Sequence, residues 1–229
     1  MPAEKGTGMQ QQTLALIGAV GLLTGSSFAG VISTVALNNL AEWTAFAAEP
    51  GVFPAGWTTA TTVETFESKR SLTQPSISGG LGWSSWTASA SAGDVTQDFG
   101  AMSTAESGAS LLFTFGNEPA ALGGLHGIGG DFGFIDASGD YQPGRIEITL
   151  SNGAAVIQEF TAQASFAGFW VIDPEITITG LFLKPLNNAY AVSTTNLYFG
   201  YAAVPAPGAC ALLGVTTMFA SGRRRSVHQ

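Results

Sequence analysis

The sequence predicts a mainly β fold, an antiparallel two-sheet β-sandwich with one short N-terminal helix. Three observations predict it. Beyond residue 60 the chain is rich in Thr, Ile, Phe and Gly, and all but the last of these suit a pleated, half-buried surface. The apolar runs recur roughly every 8–15 residues with turn residues between them, the rhythm of a sandwich or barrel. Only one stretch has helix spacing, so nothing supplies the crossover helices that a parallel sheet needs.

That helical stretch is Thr34 to Ala48. Leu37, Leu40, Trp43 and Ala47 share one face of it, with Phe46 at the edge. Asn38 or Asn39 is placed to cap the start, and Pro50-Gly51 ends it. Strands follow. In Thr61 to Glu67, Val63, Thr65 and Glu67 alternate with Glu64 and Phe66. Leu81 to Ser89 carries Trp83 and Trp86, three apart and therefore on opposite faces of a strand. Ala109 to Phe115 reads as buried. In Gly123 to Ile135 glycines interleave with Leu125, Ile128, Phe132 and Phe134, and glycine inside a strand marks a bulge or a close backbone approach. Arg145–Leu150 and Ala155–Thr161 flank Ser151-Asn152-Gly153, a hairpin signal. Ile146, Ile148 and Leu150 should face the core, and Glu147 and Thr149 the water. Phe166–Ile172, Ile176–Leu183 and Tyr190–Tyr201 complete about nine or ten strands.

Two apolar segments stand apart from this domain. Thr13 to Leu23 is an uncharged core ending before Ser27-Phe28-Ala29, with small residues where signal peptidase reads. Residues 1–29 are therefore expected to be a secretory signal, cut after Ala29. At the other end Val204-Pro205-Ala206-Pro207-Gly208 leads into Ala209–Ser221, uncharged throughout, and then Arg223, Arg224 and Arg225. Arginines beyond an apolar segment hold that end in the cytoplasm, while about 20 residues are needed for a lasting span. The division expected is 1–29 signal, 30–203 ectodomain and 204–229 sorting segment, with a helix in each terminal piece.

The ectodomain is acidic. Lys69, Arg70, Arg145 and Lys184 face fifteen acids, a net charge of −11. This excludes nucleic acid as a partner, since nothing would neutralise a run of phosphates. Such a surface is compatible with divalent cations and neutral glycans. The sole cysteine, Cys210, lies in the sorting segment, so disulfides do not hold the domain together.

No catalytic set emerges. The single histidine of the domain, His126, sits in an apolar glycine-rich run, and one histidine without cysteine does not make a zinc site. The domain reads as non-enzymatic. The alternative is a secreted carbohydrate-active enzyme working with a pair of its carboxylates, although no spacing selects the pair. Asp136-Ala137-Ser138-Gly139-Asp140 places oxygen side chains at alternate positions, a pattern that serves a structural calcium or a plain polar turn. Trp57, Trp83, Trp86 and Trp170 offer a sugar-stacking platform, although core packing is the better reading for each.

The C-terminal order of proline motif, short segment and arginines resembles the PEP-CTERM family of bacterial sorting domains, with Ala206 where that family has Glu. The resemblance implies processing by exosortase as well as signal peptidase. It further implies transient passage through the membrane and a mature protein at the cell surface or in the extracellular matrix, associated with exopolysaccharide. Glu42-Trp43-Thr44-Ala45-Phe46, Val63-Glu64-Thr65-Phe66-Glu67, Gly130-Asp131-Phe132-Gly133-Phe134, Phe166-Ala167-Gly168-Phe169 and Asn196-Leu197-Tyr198-Phe199-Gly200 resemble motifs of a common ectodomain type among such proteins. That likeness implies a jelly-roll or lectin-like sandwich. In jelly-roll sugar-binding domains an early-strand acid often sits at a structural calcium, which implies Glu67 here. Thr195 stands where the motif has Asp.

Overall fold

The computed structural model describes residues 21–22, 34–49, 52–54, 57–67, 71–81, 84–98, 100–116, 124–161, 163–173, 175–187 and 189–203. Ser27, Ala29, Trp83, the 204–208 motif and Arg223 to Arg225 lie outside them. In chain order the elements are β1 (Gly21–Leu22), β2 (Thr34–Leu37), α1 (Leu40–Ala48), β3 (Thr58–Glu64), β4 (Leu72–Gln74), β5 (Ser76–Leu81), β6 (Ser84–Ala90), β7 (Val95–Asp98), β8 (Ala101–Thr104), β9 (Leu111–Gly116), β10 (Leu125–Ile135), β11 (Tyr141–Gln142), β12 (Gly144–Leu150), β13 (Ala155–Phe160), β14 (Ser165–Val171), β15 (Gly180–Pro185) and β16 (Ala191–Ala203).

Eight of these strands form a frame of two antiparallel sheets. One sheet runs β8-β16-β10-β14 and the other β9-β15-β12-β13. Every connection between consecutive frame strands crosses from one sheet to the other, except the β12–β13 hairpin. That order is the paired Greek key of a jelly roll. The remaining strands extend it. β2 and β1 continue the first sheet beyond β14, while β7 and β4 continue it beyond β8. β3 lies along the second half of β16, β11 pairs with the end of β10, and β6 and β5 lengthen the second sheet beyond β9.

These short additions raise the strand count above the nine or ten expected. The helix differs as well. Thr34–Leu37 is not its first turn but the strand β2, whose Val35 pairs with Trp170 of β14. β-branched Thr34 and Val35 fit that pleat better than a helix. Asn39 then starts α1, its Oδ1 accepting from the amides of Ala41 (2.7 Å) and Glu42 (3.4 Å), which satisfies two otherwise orphan donors.

Between the sheets Phe113, Phe132, Phe134, Ile146, Ile148, Leu181, Leu183, Leu197 and Phe199 interdigitate in one buried cluster. Alternation puts Ile146, Ile148 and Leu150 inside and leaves Glu147 and Thr149 half-buried on the far face. Gly153, at φ +88° in the β12–β13 loop, supplies the left-handed residue the turn needs. Asn152 Oδ1 closes that loop on the Ala154 amide at 3.0 Å.

At the end of β3 the chain turns through Phe66, a fully buried aromatic at φ +52°. Glu64 holds this corner. One carboxylate oxygen accepts from the Phe66 amide and the other from Trp86 Nε1, each at 3.0 Å. Trp86 is therefore core, edge-on to Phe66 at 5.3 Å.

Candidate functional site

A second apolar cluster lies outside the sandwich, on the outer face of the first sheet. It comprises Val35, Leu37, Trp43, Ala47, Phe53, Phe166, Trp170 and Ala202. Helix α1 is bound to the sheet through two indoles stacked at 4.9 Å. Trp43 Nε1 donates to the Phe169 carbonyl at 3.1 Å, and Trp170 Nε1 donates back to the Trp43 carbonyl at 2.9 Å. The sheet admits these rings because it has no side chains beneath them. A Cβ on Gly168 would meet Trp43 and Phe166, and one on Gly200 would meet Trp170. Trp170 is thus packing and not a platform for sugar. Trp57 remains half-exposed, stacked with Phe53 at 6.1 Å. His126 is fully buried at a bulge in β10, edge-on to Phe53 and Trp57.

Along β10, between the bulge at His126 and the strand's end at Ile135, the positions on this outer face are Gly127, Gly129, Asp131 and Gly133. Asp131 alone among them has a side chain. It is half-buried, with Phe166 opposite on β14 and Asn196 opposite on β16. Its Oδ2 accepts from Asn196 Nδ2 at 2.7 Å and from Tyr198 Oη at 3.2 Å. The register slips here: Asp131 pairs with Asn196 and Phe132 with Thr194. Thr195 is the extra residue of a bulge, a device that re-aims neighbouring side chains.

Burial comes first among the causes that push Tyr198 up to about 12, followed by the negative charge of Asp131 and the bond the phenol gives it. At neutral pH Tyr198 therefore keeps its O–H to donate. Tyr141, whose ring lies over Gly133, is also raised by burial. A hydrogen bond with Thr195 opposes that shift and the charge of Asp131 reinforces it.

Beside this cluster runs an open groove of about 230 Å³ between α1 and β3. It is lined by Leu40, Trp43, Thr44, Thr61, Thr62, Val63 and Tyr198. Tyr198 belongs to both places: its ring lines the groove and its hydroxyl points to Asp131. Val63 stands 37% exposed on the rim. The groove therefore offers apolar contact and hydroxyls, and Tyr198 links it to the Asp131 carboxylate and, through that, to the Asn196 amide.

The residues proposed from sequence for calcium lie elsewhere. Asp136 caps the β10–β11 turn. Its Oδ1 accepts from the amides of Ser138 (2.9 Å) and Asp140 (3.1 Å), and its Oδ2 from Gln142 Nε2 (2.8 Å). The bond from Asp140 and then that from Ser138 lead the causes that hold its carboxyl below the usual value. Asp140 is exposed in the same turn, and Glu67 is exposed beyond the Phe66 corner. Among the described residues no three of His, Cys, Asp and Glu gather as a metal would need. Sequence reasoning passed over Asp131, Asn196 and Tyr198 as site residues. The signal was the run Gly127-x-Gly129-x-Asp131-x-Gly133, a lone acid in a row of bare positions.

No family model and no curated protein matches this chain. One solved structure, a family two carbohydrate esterase from Cellvibrio japonicus, aligns at a TM-score of 0.32 with 12% identity, covering 66% of this chain and 36% of its own. The chain thus spans about a third of that protein's length, and so distant a likeness adds nothing to the architecture already described.

Proposed function

We propose that this chain is an exported, non-catalytic protein of the cell surface or extracellular matrix that holds a polysaccharide on the outer face of its first sheet. The observation that carries the reading is the Asp131–Asn196–Tyr198 cluster, which adjoins the α1–β3 groove through Tyr198. Sugars offer hydroxyl donors and acceptors on their rims and C–H faces between them. A carboxylate, an amide and a phenol beside aromatic rings match both, and bonds to a charged acceptor are the stronger kind. The same place is poor in reactive groups. His126, the domain's histidine, is buried under Phe53 and Trp57, and the acceptor bonds seen on Asp131 come from neutral donors.

Export and sorting rest on the sequence: the apolar run before Ala29, the Pro205–Pro207 motif and the Arg223–Arg225 tail. Mass spectrometry of protein recovered from the cell surface tests this part. A first residue near Gly30 and loss of the arginines are expected, and an intact precursor would refute it. Binding is tested on the full chain by retardation in gels that contain polysaccharides. Tyr198→Phe, which keeps the ring against Trp43 and Phe166, and Asp131→Asn should each weaken or abolish retardation while the native circular dichroism spectrum is kept. Retardation equal to that of the parent in both variants would remove the groove from the account.

A further inference from the structure

The charge around Asp131 is lopsided. Its bonding partners, Asn196 and Tyr198, are neutral. The described ion pairs, Arg145–Glu159 (3.3 Å) and Lys184–Glu147 (3.0 Å), lie on β12, β13 and β15 of the other sheet. Arg145 and Lys184 are the described cations of the domain, so nothing described on this face answers the carboxylate. The nearest charged residue on α1 is another acid, Glu42, in the first turn beside groove residues Leu40, Trp43 and Thr44.

Desolvating a half-buried carboxylate that meets only neutral donors, with no counter-charge beside it, is costly. A ligand that brings a cation removes that cost, whereas one that brings an anion adds to it. The half-buried rings of Tyr198 and Tyr141 lie close enough to Asp131 to feel its charge, while Phe166 and Trp43 are buried against Tyr198 at 5.6 and 6.3 Å. An ammonium beside the two half-buried rings gains cation–π attraction as well.

Resting on the polysaccharide reading above, we infer that the ligand is a polymer of amino sugars with free ammonium groups. One ammonium is seated on Asp131, and the adjoining ring lies along the Tyr198 end of the α1–β3 groove. Neutral hexose polymers and uronic-acid polymers are the disfavoured classes. Every atom of the proposed contact is non-covalent, so the ligand leaves unchanged.

The test is titration calorimetry of the full chain with chitosan oligomers, their fully N-acetylated counterparts, dextran oligomers and alginate oligomers. The chain as a whole is acidic and attracts any polycation weakly, so two variants with equal charge change are compared. Asp131→Asn alters the site, and Glu159→Gln removes one negative charge from the opposite sheet. Expected is measurable binding of chitosan oligomers, weakened about tenfold or more by Asp131→Asn, in line with losing a bond to a charged group. Glu159→Gln should change it less than twofold. N-acetylated oligomers should bind the parent about as weakly as chitosan binds Asp131→Asn. Equal binding of the acetylated or dextran oligomers would overturn the amino-sugar inference and leave the polysaccharide reading standing. Equal loss in the two variants would reduce the chitosan signal to general charge and overturn the inference. No binding of any of the four would remove both.

Discussion

Replacing Trp43 with Ala should separate helix α1 from the sheet while sparing the core between the sheets. Trp43 is fully buried, and its ring stacks on Trp170 at 4.9 Å and meets Phe166 at 6.1 Å. Truncating a buried Trp to Ala costs about 3–5 kcal/mol by lost transfer and cavity formation. The Phe169 carbonyl also loses the indole N–H that reaches it at 3.1 Å, a further ~1 kcal/mol where water cannot replace it. A total of about 4–6 kcal/mol is expected, a large part of the 5–15 kcal/mol typical of a whole domain. Urea unfolding followed by far-UV circular dichroism measures it, with the midpoint moved and the slope nearly kept. Gly168→Ala sharpens the test. Its Cβ would lie 2.5 Å from Trp43 Cδ1 and 2.7 Å from Phe166 Cζ, overpacking worth about 1–3 kcal/mol. In the Trp43→Ala background one of those two clashes is gone, so the cost should fall by about 1 kcal/mol, the coupling expected of residues in contact. A loss below about 1.5 kcal/mol for Trp43→Ala, or additive effects in the double variant, would refute the packing of α1 described above.

Three further outcomes follow from the same geometry. Gly200→Ala drives a methyl into the Trp170 ring and should destabilise by about 1–3 kcal/mol in the same urea assay. Glu64→Ala strands the Phe66 amide and Trp86 Nε1, so a loss of about 2 kcal/mol is expected, read from the shift in unfolding midpoint. Asp136, whose folded carboxyl lies below its ordinary value of 3.8, contributes stability that is complete above that value. The contribution disappears as pH falls through the lower folded value. The acid-side slope of thermal stability should therefore shrink in Asp136→Asn below about pH 3.8 and match the parent at neutrality.

The alternation of Ile146, Ile148 and Leu150 against Glu147 and Thr149, with Asn152-Gly153 beyond it, carries the β12–β13 hairpin in plain view, because strand period and turn chemistry are both local. The two-sheet sandwich was legible for the same reason. Thr34–Leu37 misled because Leu37, Leu40, Trp43 and Ala47 hold helix spacing, and pairing with β14 is a long-range fact that outweighs it. Trp170 and Trp86 read as core in preference to exposed platform, but spacing alone left both open. What decided them was glycine on the neighbouring strands and Glu64 at the corner, neither of which spacing reveals. The site was the least visible part. Asp131 comes together with Asn196 and Tyr198 only after a bulge at Thr195 shifts the register by one, and a bulge leaves no reliable trace in a single sequence.

The central claim is that the outer face of the first sheet, at Asp131 and Tyr198, is where this protein meets a polysaccharide. The most direct measurement is a two-dimensional amide NMR titration of the full chain with chitosan oligomers. The account predicts shifts concentrated in β10 around Asp131, in β16 from Thr195 to Tyr198, and in α1 and β3 along the groove. Shifts confined to β12, β13 and β15 on the opposite sheet, or none at saturating oligomer, would contradict it.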